Sequence, residues 1–367
     1  MTDPRVDNFA SILVNYSVKA RPGDWVIVQG SVEALPLVNA VVRQVLLAGS
    51  HPEIFLENDD VRETVLRESN EAQLQRISPV ESLLVDTADA FIHLHAPQNT
   101  RIFTGIDPQK QRIRQAARRE LLKKYMQRAA QGSLRWVATE YPCQALAQDA
   151  EMSLREYEDF VYSATFADQN DPVGAWEQVD LNQARLVEWL KDKNQVILRG
   201  PNCDLQLSIT GRTFINCSGT NNMPDGEIFT GPVEESVNGW VRFTYPAIHA
   251  GREVEGIELE FMDGKVVSAK AKKNEPYLLT LIDSDPGARY VGEFAIGTNY
   301  GIQRFTRSIL FDEKIGGSFH MALGAGYPES GSQNESSLHW DMICDMRQDS
   351  EILVDGELFY KNGQFQV

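Results

Sequence analysis

The chain has 367 residues, of which 42% are hydrophobic and 24% are charged, a composition that is ordinary for a soluble globular protein. Its formal net charge is -17, so its average field repels phosphate and argues against nucleic acid or an anionic membrane as a partner. Because the first ten residues lack the apolar segment of a signal peptide and no long apolar run follows, we expect a cytoplasmic location.

The first half of the sequence alternates short β-rich runs with segments of helical periodicity. Strands are predicted at residues 25–29, 53–56, 90–95 and 134–138. Helices are predicted at residues 32–48, 61–76 and 108–130, and Gly49 is a C-terminal stop for the first of them. Strands separated by helices favour parallel βαβ units, so we predict an α/β N-terminal domain with a mostly parallel sheet at residues 1–185.

The pattern changes near Asp180. A helix predicted at residues 181–193 is followed by short strands with closely spaced turns, at 196–198, 205–209, 241–245, 257–261 and 265–270. Met262-Asp263-Gly264 has the composition of a hairpin turn. We therefore predict a β-rich α+β C-terminal domain at residues 186–367.

Five side chains of the C-terminal domain are of metal-binding types and lie in glycine-punctuated segments: Glu227, Glu293, His320, His339 and Asp341. Such a mixed oxygen and nitrogen ligand set could hold two divalent ions of the zinc, cobalt or manganese kind. His339 and Asp341 are two residues apart, which points both to one face of a strand. Taken one by one, each has an ordinary alternative: a core histidine, a chance strand pair or surface glutamates.

The order of the segments around these residues is more specific than any one of them. They are Asn15-Tyr16-Ser17-Val18-Lys19 with Pro22-Gly23-Asp24, residues 222–230 around Glu227, Gly292-Glu293, residues 311–324 with Tyr327, and Leu338-His339-Trp340-Asp341. Together they resemble the aminopeptidase T / aminopeptidase S family of dinuclear metal-dependent aminopeptidases, the thermophilic metalloproteases. The chain departs from that family's pattern in a shorter stretch at 326–338 and a slightly longer one at 313–320.

The resemblance implies that the C-terminal domain is catalytic and that the five side chains bind two divalent metal ions. A water activated by the two metals would then hydrolyse the bond after the N-terminal residue of a short peptide. Tyr327 would donate a hydrogen bond to the tetrahedral oxyanion, and Glu293 or Glu313 would move the proton of the water to the leaving amine. The family also implies a homodimer with an enclosed site.

Two other classes of protein remain open from the sequence. A mononuclear Fe(II) ring-cleaving dioxygenase on the same scaffold would need only two histidines and an aspartate, whereas Glu227, Glu293 and Tyr327 favour the hydrolase. The third class is a binding protein that kept the fold without catalysis. His93 and His95 share one strand face of the first domain and are expected to be packing residues. The four cysteines lack CxxC spacing and are expected to be reduced thiols.

Overall fold

The structure is a computed structural model that describes residues 3–367. It forms two compact units, one containing residues up to Trp176 with Gly219–Pro224, the other Glu177–Ser218 with Asp225–Val367. The boundary between an N-terminal domain at residues 1–185 and a C-terminal domain at residues 186–367 stays a prediction.

The elements follow one another along the chain with short connections. The helices are α1 (Pro4–Ser11), α2 (Leu35–Leu47), α3 (Asp59–Glu68), α4 (Glu71–Gln75), α5 (Pro79–Thr87), α6 (Pro108–Ala130), α7 (Gln144–Asp149), α8 (Leu154–Ala164), α9 (Pro172–Leu190), α10 (Glu275–Ile282) and α11 (Ile309–Asp312). The strands are β1 (Trp25–Ser31), β2 (His51–Glu57), β3 (Ala90–His95), β4 (Arg135–Glu140), β5 (Gln195–Gly200), β6 (Cys203–Ser208), β7 (Ile215–Cys217), β8 (Asn222–Met223), β9 (Glu227–Thr230), β10 (Asn238–Arg242), β11 (Ala247–His249), β12 (Arg252–Val254), β13 (Glu258–Met262), β14 (Lys265–Lys270), β15 (Val291–Gly297), β16 (Ser318–Gly324), β17 (His339–Asp345), β18 (Glu351–Val354), β19 (Glu357–Lys361) and β20 (Gln364–Phe365).

The first unit is built on a parallel sheet, as the sequence predicts. Its five strands have the order β2-β1-β3-β4-β8, and every neighbouring pair is parallel. The central strand β1 buries Val26, Ile27 and Val28 in succession, which is typical of a strand covered on both faces. The continuous apolar run therefore marks this strand in the sequence.

Three predicted elements have different bounds in the structure. The helix predicted at 61–76 is wrong, because Asn70 and Gln73 form a capping box that starts the separate helix α4. The helix predicted at 181–193 is the end of α9, which begins at Pro172, where proline suits the first turn. The strand predicted at 241–245 is β10, which ends at Arg242 because the backbone N–H of Thr244 then bonds to Ile343.

The second unit is β-rich and antiparallel, which confirms the predicted α+β class. One sheet has eight strands in the order β14-β13-β10-β6-β5-β18-β19-β20, and a second has five in the order β17-β16-β15-β9-β7. Apolar side chains of both sheets, such as Leu198, Leu259, Phe294 and Met321, belong to one hydrophobic core. All seven residues of β15 and all seven of β16 are buried, so any polar side chain on these strands is held away from water.

Candidate metal centre

In the five-stranded sheet of the second unit, the strand register places all five candidate ligands on one face. Each lies directly opposite a glycine or alanine on one neighbouring strand: Glu227 opposite Gly297, Glu293 opposite Ala322, His320 opposite Ala295, Asp341 opposite Ala322, and His339 opposite Gly324. On the other neighbouring strand, His320 faces Ile343 and Glu227 faces Cys217. Side chains of directly opposed residues stand side by side on the same face. The small partner on one side therefore leaves space there for each carboxylate or imidazole.

Glu293 is the central member of this cluster. Its Oε1 lies 3.4 Å from Nε2 of His320, and its Oε2 lies 3.6 Å from Nε2 of His339. Glu227 Oε2 is 3.6 Å from His320 Nε2, and Asp341 Oδ1 is 3.6 Å from His339 Nε2. Two of the groups with metal-ligand spacing contain Glu293. One consists of Glu227, Glu293 and His320, and the other of Glu293, His339 and Asp341. Within each group the ligand atoms lie within 4.8 Å of one another.

Backbone carbonyls fix the orientation of both imidazoles. Nδ1 of His320 lies 2.9 Å from the carbonyl oxygen of Glu313, and Nδ1 of His339 lies 2.8 Å from that of Ala325. A carbonyl only accepts, so each Nδ1 carries the hydrogen and, in a neutral ring, each Nε2 has its lone pair directed at the carboxylates. This is the outer hydrogen bond that metal-binding histidines usually make.

Two buried carboxylate oxygens of the cluster accept no hydrogen bond from the described residues, Oε2 of Glu227 and Oδ1 of Asp341. Burial raises the pKa of Glu227 to about 8 and that of Asp341 to about 6. Buried ionised carboxylates are costly unless a cation or hydrogen-bond donors compensate them. The donor types, their spacing and these two unpaired oxygens together fit a bound metal ion.

The pKa values of the two histidines are raised as well, in their case by the neighbouring carboxylates. Burial alone would lower the pKa of His320, but its hydrogen bond with Glu293 and the charge of Glu227 raise it to about 10. Burial also opposes protonation of His339, yet Asp341 and Glu293 raise its pKa. The cluster therefore holds protons in positions where a metal ion would otherwise supply positive charge.

A lysine that is not among the residues selected from the sequence lies against this cluster. Lys314 is 0% exposed, and its Nζ lies 3.4 Å from Glu227 Oε1 and 4.0 Å from Asp225 Oδ1. It also forms an ion pair with Glu313. Burial would lower the pKa of Lys314, but the three carboxylates raise it well above the ordinary value. The one signal in the sequence is the charged triplet Asp312-Glu313-Lys314, which is separated from two glycines by Ile315.

Glu313, a candidate catalytic carboxylate, is therefore engaged twice. Its carboxylate pairs with Lys314, and its backbone carbonyl orients His320. Burial would raise the pKa of Glu313, but the positive charges of Lys314 and His320 lower it. The structure thus places Glu313 beside the ligand cluster with its side chain held by the lysine.

Tyr327 lies on the loop between β16 and β17. Its ring packs against Phe229, with the ring centroids 5.2 Å apart, and against His339, with the centroids 5.4 Å apart. Burial and the nearby charges of Glu293 and Asp341 raise the pKa of Tyr327. Its hydroxyl therefore keeps its hydrogen at neutral pH and is available as a donor. Tyr327 is also 41% exposed, whereas the ligands Glu227, Glu293 and His320 are buried.

The loop that carries Tyr327 is anchored by two carboxylates. Glu234 accepts a hydrogen bond of 2.7 Å from the backbone N–H of Gln333 and is paired with Arg212 at 2.5 Å. Asp285 accepts hydrogen bonds from Ser336 and from both the backbone and the side chain of Ser337. The position of the tyrosine is therefore set by residues well outside its own segment.

Two glycines are required beside the glutamates. Gly226 has φ +120°, a conformation that side chains disfavour, and a Cβ there would lie 2.7 Å from Asn299 Cβ. At Gly292 a Cβ would lie 2.3 Å from the carbonyl oxygens of Gly324 and Ala325. Each glycine allows the backbone to approach a neighbour closely, immediately before Glu227 or Glu293.

The two histidines of the predicted third strand lie in the first unit. His93 Nε2 is 3.3 Å from the Tyr125 hydroxyl and its ring stacks on Phe91, while His95 is exposed. Neither belongs to a group with metal-ligand spacing among residues 3–367. His93 is placed as a packing residue, in keeping with the prediction, whereas His95 lies at the surface.

A cluster of carboxylates and histidines on an antiparallel sheet, in a chain that also contains a parallel α/β unit, fits a metal-dependent enzyme. Residues 2–365 match the family described as thermophilic metalloprotease (M29), and the chain belongs to that family. It is 28% identical to aminopeptidase 2 of Geobacillus stearothermophilus over 363 residues, which cover 92% of this chain and 87% of the relative. The protein is thus a metallo-aminopeptidase of the M29 family, which confirms the resemblance seen in the sequence.

Solved structures with a similar fold include two that cover nearly the whole chain. Wild-type AmpT from Thermus thermophilus superposes with a TM-score of 0.85 over 99% of both chains at 22% identity. A 2,5-dihydroxypyridine dioxygenase from Pseudomonas putida has a TM-score of 0.59 at 14% identity, covering 98% of this chain and 96% of that one. At these identities the likeness is one of fold.

None of the helices in the described part of the chain is both long and apolar enough to span a bilayer.

Proposed function

We propose that the protein removes N-terminal residues from short peptides with two divalent metal ions of the zinc, cobalt or manganese kind. The proposed ligands are Glu227, Glu293 and His320 for one ion and Glu293, His339 and Asp341 for the other. The observation that supports this arrangement is that the two groups of ligand atoms share Glu293. A bidentate carboxylate between two nitrogen donors suits a bridging position.

Bound divalent ions would lower the pKa of a water toward about 7 and polarise the carbonyl of the peptide bond. The reaction adds water across the C–N bond, the hydroxyl to the carbonyl carbon and a proton to the leaving amine. We assign the Tyr327 hydroxyl as the donor to the carbonyl oxygen as it becomes an oxyanion. Its high pKa and partial exposure support this role.

Two carboxylates are candidates for moving the proton to the leaving amine, Glu293 and Glu313. Glu293 lies at the centre of the cluster, between His320 and His339. The carboxylate of Glu313 is paired with the buried Lys314, which lowers its pKa. A carboxylate whose two oxygens bind metal ions is also a poor base, so Glu293 and Glu313 both remain candidates.

The metal centre suits a free peptide N-terminus. Asp225, Glu227, Glu293, Glu313 and Asp341 place five carboxylates in the site, and Lys314 with two divalent ions would balance this charge. A neutral α-amino group is a nitrogen ligand that a divalent ion can bind. An N-acetylated peptide lacks this ligand and should be a poor substrate.

The proposal is tested by metal analysis beside an aminoacyl-p-nitroanilide and dipeptide panel, with and without a chelator. We expect about two zinc, cobalt or manganese ions per chain, activity lost on chelation and restored by metal, and no cleavage of N-acetylated peptides. Equal cleavage of acetylated and free peptides would contradict the aminopeptidase assignment. One iron per chain with oxygen uptake on a dihydroxylated ring would favour the dioxygenase instead.

The assembly and the location of the protein are proposed from the family resemblance, as a homodimer in the cytoplasm. Light scattering after size exclusion measures the assembly directly. A mass of one chain at micromolar concentration would contradict the dimer.

A further inference from the structure

Lys314 is held in place by its backbone as well as by its side chain. Its N–H donates to the carbonyl of Phe311 at 3.1 Å, and its own carbonyl accepts from Asn299 at 3.2 Å. It lies two residues after the end of α11 and precedes the glycines that lead into β16. The side chain is wholly buried, so its ammonium group cannot turn toward water to leave the carboxylates.

The ammonium group contacts two carboxylates that are not proposed to bind metal. Asp225 and Glu313 are outside the proposed five-ligand set, and both lie within 4.0 Å of Nζ. The lysine places a positive charge between these two acids, beside Glu227. Buried like charges at such distances repel strongly, because the low dielectric screens them little.

The same contact divides the two oxygens of Glu227. Oε1 faces Lys314 at 3.4 Å, whereas Oε2 faces His320 at 3.6 Å and accepts no hydrogen bond from the described residues. The lysine thereby leaves one oxygen of Glu227 for a metal ion. The ammonium group also holds the carboxylate of Glu313 through their ion pair.

We propose that Lys314 is a positioning residue that acts as a fixed internal cation of the metal centre. It keeps the carboxylates together before metal binds, and its positive charge weakens the binding of the metal ions. The proposal rests on the proposed metal-binding function. Loss of an orienting outer partner typically weakens metal affinity 10- to 100-fold, whereas loss of a nearby positive charge strengthens it, so the sign of the change separates the two roles.

The test compares the wild-type enzyme with Lys314→Met, which keeps the approximate length of the side chain and removes the charge. Melting temperature is measured for chelated and metal-loaded protein, and the zinc dissociation constant is measured by chelator competition. We expect the chelated variant to lose more melting temperature than the loaded variant, and its dissociation constant to fall at least about tenfold. An equal loss in both forms, or weaker zinc binding, would overturn the proposal.

Lys193→Met is the matched control, because it breaks an ion pair of 2.9 Å with Glu357 away from the metal centre. It should shift the chelated and loaded proteins equally. If Lys314→Met does not fold, the double variant Glu313→Gln/Lys314→Met decides the question. Removal of one negative charge with the positive one should restore the chelated protein, and failure to do so would assign Lys314 a packing role.

The same variants separate this proposal from the proposed function. If the wild-type protein binds no divalent ion, the two-metal function fails. The pair Lys314→Met and Glu313→Gln/Lys314→Met still tests charge compensation in the metal-free protein. If the wild-type protein binds metal but the double variant gives no recovery, only the role of Lys314 fails.

Discussion

The ring of Tyr327 stands at 72° to the imidazole of His339, with the ring centroids 5.4 Å apart. These two side chains are more exposed than Glu227, Glu293 and His320, which are buried. A substrate can therefore reach the cluster from the side of Tyr327 and His339. The contact also ties the proposed oxyanion donor to a proposed metal ligand, so the two are positioned together.

Replacing Tyr327 with phenylalanine keeps the ring that packs on His339 and removes only the hydroxyl. We expect kcat to fall about 10²- to 10³-fold, the usual effect of losing one oxyanion donor, with bound metal unchanged. Steady-state kinetics on a dipeptide and metal analysis of the same preparation check this. A variant with wild-type kcat would show that the hydroxyl does not stabilise the transition state.

Replacing Glu293 with glutamine should affect both metal binding and turnover. Its two oxygens face two different histidines, and an amide supplies only one oxygen acceptor. We expect activity on aminoacyl-p-nitroanilides to be abolished and metal content to fall, with the circular dichroism spectrum retained. Glu335→Gln, on the exposed part of the Tyr327 loop, is the control and should behave as wild type.

Glu313→Gln should retain more activity than Glu293→Gln. The carboxylate of Glu313 is engaged by Lys314 and lies within 4.8 Å of ligand atoms of His320 and Asp341, whereas the hydrogen bond to His320 is made by the Glu313 backbone, which the substitution leaves in place. Comparison of kcat at equal metal content measures the difference. Equal loss in both variants would favour Glu313 as the proton acceptor.

Metal binding should release protons and strengthen as the pH rises. In the metal-free protein at pH 7, Glu227 with a pKa of about 8 and His320 with a pKa of about 10 are both protonated, and both must lose their protons to bind metal. The metal-free protein thus binds more protons than the loaded one, and apparent affinity rises between pH 6 and 8. Titration calorimetry in buffers of different ionisation enthalpy measures the protons released.

The pKa shifts of Glu227 and His320 also predict how the stability of the metal-free protein changes with pH. Both have a pKa above their ordinary values of 4.5 and 6.5, so their stabilising contribution is complete at low pH. It is lost as the pH rises through about 8 and about 10. The melting temperature of chelated protein should therefore fall from pH 6 to pH 9, and a rise over this range would contradict the assignment.

Glu234→Gln should loosen the Tyr327 loop without removing a metal ligand. The substitution removes the charge that pairs with the buried Arg212 and weakens the bond from Gln333. We expect the free energy of unfolding to fall by about 1–3 kcal/mol and kcat to fall, with metal content unchanged. Denaturant unfolding and kinetics check this, and unchanged kcat would show that the loop keeps Tyr327 in place without Glu234.

The ligand-bearing strands carry a local signal of the site. On one face of β15 and of β16, a functional residue is followed two positions later by a small one, as Glu293 is by Ala295 and His320 is by Ala322. This alternation reflects the requirement that a large polar side chain stand opposite a small one across the ladder. Because side chains on a strand repeat with a period of two, the pattern predicts that Glu293 and Ala295 share one face, and likewise His320 and Ala322.

Local sequence accounts for the alternation of strands and helices, the parallel sheet with its buried β1, and the residue types of the five ligands. These features follow from periodicity, turn residues and the order of short segments, all of which act between near neighbours in the chain. The pairing of distant strands, by contrast, brings Glu227, Glu293, His320, His339 and Asp341 together and places Lys314 among the acids beside them. Such contacts depend on strand order and register, and no local pattern encodes the burial of one lysine among distant carboxylates.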